Sequence, residues 1–312
     1  MNRLLILSDK SQEYAEELRS RKLEELEIHL ATNANIDPVL LAEVDIILGR
    51  PDLTVKILDH AKKVRWIQSA FAGIEPFCDS GIPNGCVLTG VKDIFGPLIS
   101  EYVFGYILAL ERNIFQVRQN QFSATWEKIP YRSLSELTVG ICGLGSIGKH
   151  LATTAAHFGM KVLGLSRSGK QTPNVDRAYR ASEILEFVPD LDYLVCVLPN
   201  TNQTRHIVNE QVIRSMKSSA VLINVGRGAT VDEHAVSKAL NNGELRAAVL
   251  DVFEHEPLDA YSPLWRLKNA YITPHNSATT FPRDIVNIFC ENYQRYRQRQ
   301  PLKFIIDLDR GY

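Results

Sequence analysis

The stretch Val139-Gly140-Ile141-Cys142-Gly143-Leu144-Gly145-Ser146-Ile147-Gly148 restricts what this chain can fold into more than any other feature. A short apolar run enters Gly-x-Gly-x-x-Gly, and residues of helical character follow it. The glycines meet three separate demands: Gly143 allows a tight turn, Gly145 lets a ligand approach bare backbone, and Gly148 lets helix and strand pack closely. The helix N-terminus adds unpaired N–H groups and a positive dipole end, which suit a pyrophosphate. Strand before, helix after and a second apolar run ~20 residues on turn a weak glycine motif into a dinucleotide site. Its expected contacts are Gly143, Gly145, Ser146, Ile147 and Gly148.

The second run, Lys161 to Leu165, leads into Ser166-Arg167-Ser168-Gly169-Lys170. A site for an unphosphorylated ribose would carry Asp or Glu here, to hold the hydroxyls. A guanidinium between two hydroxyls suits a 2′-phosphate, which a carboxylate would repel. Ser166, Arg167 and Ser168 therefore point to NADP(H) in preference to NAD(H), with NAD(H) still possible.

Apolar runs continue on both sides of this unit and alternate with polar or amphipathic stretches, the pattern of an α/β fold with parallel sheets. The later series is Val139 to Cys142, Lys161 to Leu165, Tyr193 to Leu198, Ala220 to Val225, Ala247 to Val252 and Tyr271-Ile272. Six parallel strands of a Rossmann sheet fit it. Helices are expected over Ile147 to Phe158 and after Thr230-Val231-Asp232-Glu233, read as a capping box. The earlier series, Leu4 to Leu7, Leu26 to Leu30, Val44 to Leu48, Trp66-Ile67 and Val87-Leu88, fits a smaller doubly wound sheet.

Amphipathic segments flank the Rossmann block, Pro97 to Gln119 before it and Phe281 to Arg297 after it. The latter places Ile285, Ile288 and Phe289 on one face. The 312 residues divide at roughly 150 per domain into two. The expected boundaries are 1–92 plus 280–312 for one domain and 93–279 for the Rossmann domain.

Composition removes other classes. With 45% apolar and 23% charged residues, and a net charge of −1, the chain is an ordinary globular sequence without the basic excess that nucleic acid requires. The longest apolar stretch, Tyr102 to Leu110, is about half of the ~20 residues that span a bilayer, and the N-terminus lacks a secretory core. Five cysteines without a Cys-x-x-Cys pair indicate reduced thiols and no metal cage. The expectation is a cytoplasmic protein.

In open α/β sheets ligands bind beyond the carboxyl ends of the strands. Three such ends carry chemistry: Asn224-Val225-Gly226-Arg227-Gly228, Asp251-Val252-Phe253-Glu254-His255-Glu256-Pro257, and Thr273-Pro274-His275. Arg227, between glycines, can grip a carboxylate with two parallel hydrogen bonds. His275 follows a proline that fixes the backbone at the strand end. Glu256 on one imidazole nitrogen would fix the tautomer and leave the other nitrogen to deliver a proton, a general acid poised near neutral pH. Spacing leaves Glu254 as a competing carboxylate. His29, His60, His150, His157, His206 and His234 show no acid–base constellation and read as packing or surface residues; His255 reads as a bystander.

Together these motifs, with Leu198-Pro199-Asn200-Thr201, resemble the D-isomer-specific 2-hydroxyacid dehydrogenases, which include glyoxylate/hydroxypyruvate reductases and phosphoglycerate dehydrogenases. The resemblance covers the second domain. It implies Arg227, Glu256 and His275 as the catalytic set, lowers the claim of Glu254, and adds Leu198, Pro199 and Val225 to the cofactor site, with Asp251 near the nicotinamide carboxamide. Upstream, Gln68-Ser69-Ala70-Phe71-Ala72-Gly73 resembles the family's substrate loop, with Ala72 and Gly73 holding a substrate carboxylate through backbone N–H groups. Ala70, Phe71 and Ala72 make that loop bulkier and more apolar than the common pattern. After His275, Asn276-Ser277-Ala278 also departs from it.

The implied architecture is a Rossmann domain inserted in a smaller flavodoxin-like substrate domain, with a homodimer formed around residues 97–119. Trp126 falls in a segment that reaches toward the substrate in some relatives. The implied activity is NADPH-dependent reduction of a short 2-oxo acid to the D-2-hydroxy acid. Phosphoglycerate or a bulkier 2-oxo acid is the alternative substrate. A nicotinamide-sensing binding protein with residual catalysis is the alternative of another class.

Overall fold

Leu4, Leu5, Ile6 and Leu7 are all fully buried, so the strand they form has both faces covered, as in a parallel sheet between helices. The computed structural model describes residues 1–308, so the last four residues of the expected 280–312 segment lie outside the described residues. Two compact units emerge: Met1–Ile94 with the chain from Thr280 onward, and Phe95–Thr279.

In the first unit, β1 (Asn2–Leu7), β2 (Leu26–Ala31), β3 (Ile46–Gly49), β4 (Trp66–Ser69) and β5 (Val87–Thr89) form a parallel sheet of order β2-β1-β3-β4-β5. This is the flavodoxin-like order. The helix Pro282–Arg297 returns to this sheet, and its Phe289 stacks on Trp66 with ring centroids 4.9 Å apart. Its buried stripe runs through Ile285, Val286, Phe289 and Tyr293, with Ile288 only half-buried. The helix is rotated slightly from the expected face, because Val286 takes the inner position.

The second unit holds β6 (Thr138–Cys142), β7 (Lys161–Ser166), β8 (Arg177–Arg180), β9 (Tyr193–Cys196), β10 (Val221–Asn224), β11 (Ala247–Leu250) and β12 (Ala270–Ile272). Their order, β12-β11-β10-β9-β6-β7-β8, is the Rossmann arrangement extended by one strand. The expected six strands are therefore seven. The missed one, β8, reads Arg-Ala-Tyr-Arg at the sheet edge, buries only Tyr179, and so offers no apolar run to detect. The fold is two doubly wound α/β units, the Rossmann unit inserted in the sequence of the flavodoxin-like one.

Two local expectations also change. The helix Glu233–Asn241 is capped by Asp232, whose carboxylate accepts from the Ala235 N–H at 3.0 Å. Thr230 is instead drawn back, its hydroxyl donating to the Arg227 carbonyl at 2.7 Å. The segment Pro97 to Gln119 is two helices, Phe95–Glu111 and Ile114–Phe122, broken where Asn113 adopts φ 52°. Among the described residues no helix is long and apolar enough to cross a membrane.

Candidate active site

The glycine turn leaves β6 and opens the helix Ser146–His157. Gly143 has φ 106°, a conformation that side chains rarely take. A Cβ on Gly148 would overlap the Gly143 carbonyl oxygen, whereas a Cβ on Gly145 would meet no protein atom within 4 Å. Gly145 is the N-cap of that helix, whose first N–H groups lack partners inside the helix. A phosphate-bearing group fits this cradle. Ser146 and Ile147 form the helix's first turn.

Around the turn the neighbouring strand ends pack closely. A Cβ on Gly226 would lie 2.8 Å from both the Leu198 nitrogen and oxygen, so the loops after β9 and β10 touch backbone to backbone. Val225 is buried, and the Pro199 carbonyl accepts from the Thr204 hydroxyl at 2.6 Å. Beyond β7, the Ser166 hydroxyl accepts from the Gly169 N–H at 3.1 Å and the Ser168 hydroxyl from the Lys170 N–H at 3.3 Å. This folded turn leaves Arg167 exposed. At the base of the glycine turn Cys142 and Cys196 are opposite residues of β6 and β9, both buried. Mutual hydrogen bonding, followed by burial, pushes the Cys142 thiol up, which makes it unreactive.

Adjacent parallel strands β10, β11 and β12 carry the three polar candidates past their carboxyl ends. Arg227 is half-buried and extended, with one guanidinium nitrogen donating to the Gly226 carbonyl at 2.9 Å. Its own carbonyl accepts from the Asn224 amide at 3.1 Å. The His275 Nδ1 lies 2.8 Å from Glu256 Oε2, while Glu256 Oε1 accepts from the Phe253 N–H at 3.0 Å. A carboxylate only accepts, so Nδ1 carries the proton of that contact and Nε2 takes no part in it. Glu254 is taken up elsewhere, 2.7 Å from His206 Nε2 and 3.4 Å from an Arg205 nitrogen.

His275 has φ 52°, a strained value for a residue with a side chain. Asp251 holds it there. Its carbonyl accepts from the His275 N–H at 2.8 Å, and its fully buried carboxylate accepts from the Asn276 and Ser277 N–H groups and the Thr273 hydroxyl at 2.9, 3.0 and 2.6 Å. Because Thr273 spends its proton on Asp251, Tyr102 must be the donor in its 2.5 Å contact with Thr273. Burial pushes the Tyr102 phenol up, so it stays protonated. Asp251 thus meets the loop with both oxygens. Tyr102 and Thr273 carried no sequence signal of this role.

In the first unit, β4 ends in buried Gln68 and Ser69, and the Ser69 hydroxyl closes the turn by donating to the Phe71 carbonyl at 2.6 Å. Among the described residues, the N–H groups of Ala72 and Gly73 make no hydrogen bond. No cluster of metal-ligating side chains occurs among the described residues.

The model of the D-isomer specific 2-hydroxyacid dehydrogenase NAD binding domain matches residues 104–277. The chain belongs to this family. Glyoxylate/hydroxypyruvate reductase A of Klebsiella pneumoniae is 32% identical over 217 residues, 70% of each chain. A D-isomer specific 2-hydroxyacid dehydrogenase family protein from Aeromonas salmonicida superposes with a TM-score of 0.94 at 42% identity over 99% of both chains. An NADPH-dependent glyoxylate/hydroxypyruvate reductase from Sinorhizobium meliloti, solved with NADP and sulfate, gives 0.86 at 27% identity over 100% of both. This family member is accordingly an NAD(P)-dependent oxidoreductase of the 2-hydroxyacid dehydrogenase type, with its cofactor domain in the second unit.

Proposed function

We propose that the enzyme reduces a short 2-oxo acid of the glyoxylate or hydroxypyruvate type to the D-2-hydroxy acid, with NADPH in preference to NADH. The observation that carries this reading is the 2.8 Å couple between His275 Nδ1 and Glu256, set one strand end away from Arg227 in the sheet that bears the glycine turn. The glycine turn, with Leu198, Pro199 and Val225, would hold the dinucleotide, and Ser166, Arg167 and Ser168 its 2′-phosphate. When bound, the reduced nicotinamide supplies a hydride to the carbonyl carbon. Arg227 pairs with the substrate carboxylate and polarises the carbonyl. As an imidazolium held through Nδ1 by Glu256, His275 gives the Nε2 proton to the developing alkoxide, so one hydride and one proton convert C=O to CH–OH. Asp251 holds the His275 loop in register. The Ala72–Gly73 turn would bind the substrate carboxylate through its backbone N–H groups.

Support for the phosphorylated cofactor is the lack of a carboxylate between Leu165 and Lys170, together with the NADP in the Sinorhizobium meliloti relative. The test is a panel of 2-oxo acids, including glyoxylate, hydroxypyruvate and bulkier or phosphorylated members, assayed with both cofactors. Glyoxylate or hydroxypyruvate should lead with NADPH. Arg167→Ala should weaken NADPH binding by ~10-fold or more, the scale of a lost hydrogen bond to a charged group, and leave NADH unchanged. Preference for a larger acid would replace the substrate assignment. NADPH binding without turnover of any acid would favour a nicotinamide-sensing role.

A further inference from the structure

His206 lies in the turn after β9 with φ 46°, a left-handed backbone that few residues other than glycine adopt. Such a conformation persists where surrounding bonds enforce it. Its N–H donates to the Ala229 carbonyl at 2.8 Å, two residues beyond Arg227. The next contact repeats the link, Val208 N–H to Thr230 carbonyl at 3.1 Å, with a bridge between Val208 and Val231. The backbone at His206 is thereby stitched to the loop that carries Arg227.

The side chain of His206 runs to the other loop. Its Nε2 lies 2.7 Å from Glu254 Oε1, so that nitrogen is the donor, and Arg205 approaches the second oxygen at 3.4 Å. Glu254 is only partly exposed, at 22% of its side chain. Its N–H donates to the Glu233 carboxylate, and the N–H of the preceding Phe253 fixes the Glu256 carboxylate that faces His275. The charged and titratable groups around the contact are Arg205, Glu254 and Glu233, with His255 and Glu256 acting on Glu233.

We propose that His206 is a positioning residue: backbone and imidazole together clamp the Arg227 loop to the Phe253–Glu256 loop and so hold Glu256 in line with His275. The proposal rests on the roles assigned above to Arg227, Glu256 and His275.

Three variants test it. In His206→Asn the side chain tolerates the left-handed backbone but is too short for Glu254; in His206→Gln an amide nitrogen replaces Nε2; Glu254→Gln removes the charge at the other end. The titration of the His275 imidazole is followed by NMR in each, alongside turnover and NADPH affinity. Both His206→Asn and Glu254→Gln should lower the pH at which His275 titrates, cut turnover by about 10-fold or more with NADPH affinity unchanged, and show no further loss when combined. His206→Gln should recover most of the turnover. A long-range charge effect alone would move His275 in opposite directions in His206→Asn and Glu254→Gln, and that result overturns the clamp. So does an unmoved titration, or a loss confined to thermal stability. Because the NMR readout needs no substrate, a wild type that reduces no 2-oxo acid would refute the functional reading while still deciding the clamp.

Discussion

At the scale of single residues, chemistry at this site depends on which neighbour each side chain is denied. Glu254 and Glu256 are two residues apart and indistinguishable by spacing, yet one faces His206 and the other His275. Sequence shows that polar residues follow strand ends; it does not show which carboxylate the turn delivers to which imidazole, because that depends on backbone bonds such as Phe253 N–H to Glu256. Replacing His275 by alanine should lower turnover by ~10²–10⁴-fold, the range for losing a general acid, while a fluorescence titration finds NADPH binding intact. Loss of cofactor affinity in step with turnover would give His275 a structural role instead.

At the scale of elements, strands with two buried faces were readable as apolar runs, and their glycine turn as a change of period from strand to helix. Elements held by other forces were not readable. Edge strand β8 is two arginines around one buried tyrosine, and the helix after β10 starts at Asp232 because Thr230 already has a carbonyl partner. The glycine turn gives a sharp test. Gly148→Ala sets a methyl against the Gly143 carbonyl oxygen with backbone on both sides, so helix and turn must separate. Overpacking of this kind costs about 1–3 kcal/mol, and NADPH affinity should fall with it, measured by calorimetry and denaturant unfolding. An alanine variant with unaltered NADPH affinity would show that the close approach is not needed for binding.

The helix Phe95–Glu111 ends in a second device of this scale. Glu111 is buried and accepts from Tyr193 and Arg246, both at 2.6 Å, and from Arg132 at 3.2 Å, tying the helix to β9 and to the residue before β11. Burial alone would raise its carboxyl, but those hydrogen bonds outweigh it and the net shift is downward. The folded value then lies below the unfolded one, so the stabilisation is complete above the ordinary carboxyl range, ~4.3 for glutamate, and is lost as pH falls through that range and the folded value. Glu111→Gln should cost about 1.5–3 kcal/mol at neutral pH, the scale of a lost hydrogen bond to a charged group, because Arg132 and Arg246 keep access to water. Its urea midpoint should also fall less steeply than the wild type's between pH 5 and 3, on the ~pH 5 to 1 scale of carboxylate linkage. Parallel acid profiles would assign the loss to another carboxylate.

At the scale of the whole molecule, two sheets were legible because each is a series of apolar runs, and the return of Pro282–Arg297 to the first unit because its buried stripe has helical spacing. For assembly the sequence offers only what the family resemblance implies, since periodicity within one chain does not say what covers an exposed face. Past Asn113 that face is unusually apolar: Ile114, Phe115, Val117, Phe122 and Trp126 are 52, 41, 51, 75 and 99% exposed. Among the described residues Phe115 alone of these finds an aromatic partner, stacking on Tyr271 at 4.9 Å, while Arg118 lies over the Phe122 ring at 4.3 Å. Exposed apolar side chains gathered in one segment suit an interaction site, and the homodimer implied by the family resemblance would cover them. Introducing charge where a partner must exclude water should break the pairing without disturbing the sheets, because Val117 and Phe122 lie outside the buried clusters. Sedimentation velocity should give twice the chain mass for the wild type and one chain mass for Val117→Asp with Phe122→Asp, with the far-ultraviolet circular dichroism of the two superimposable. A double variant that still sediments as a dimer would move the interface elsewhere, and a monomeric wild type would remove the homodimer.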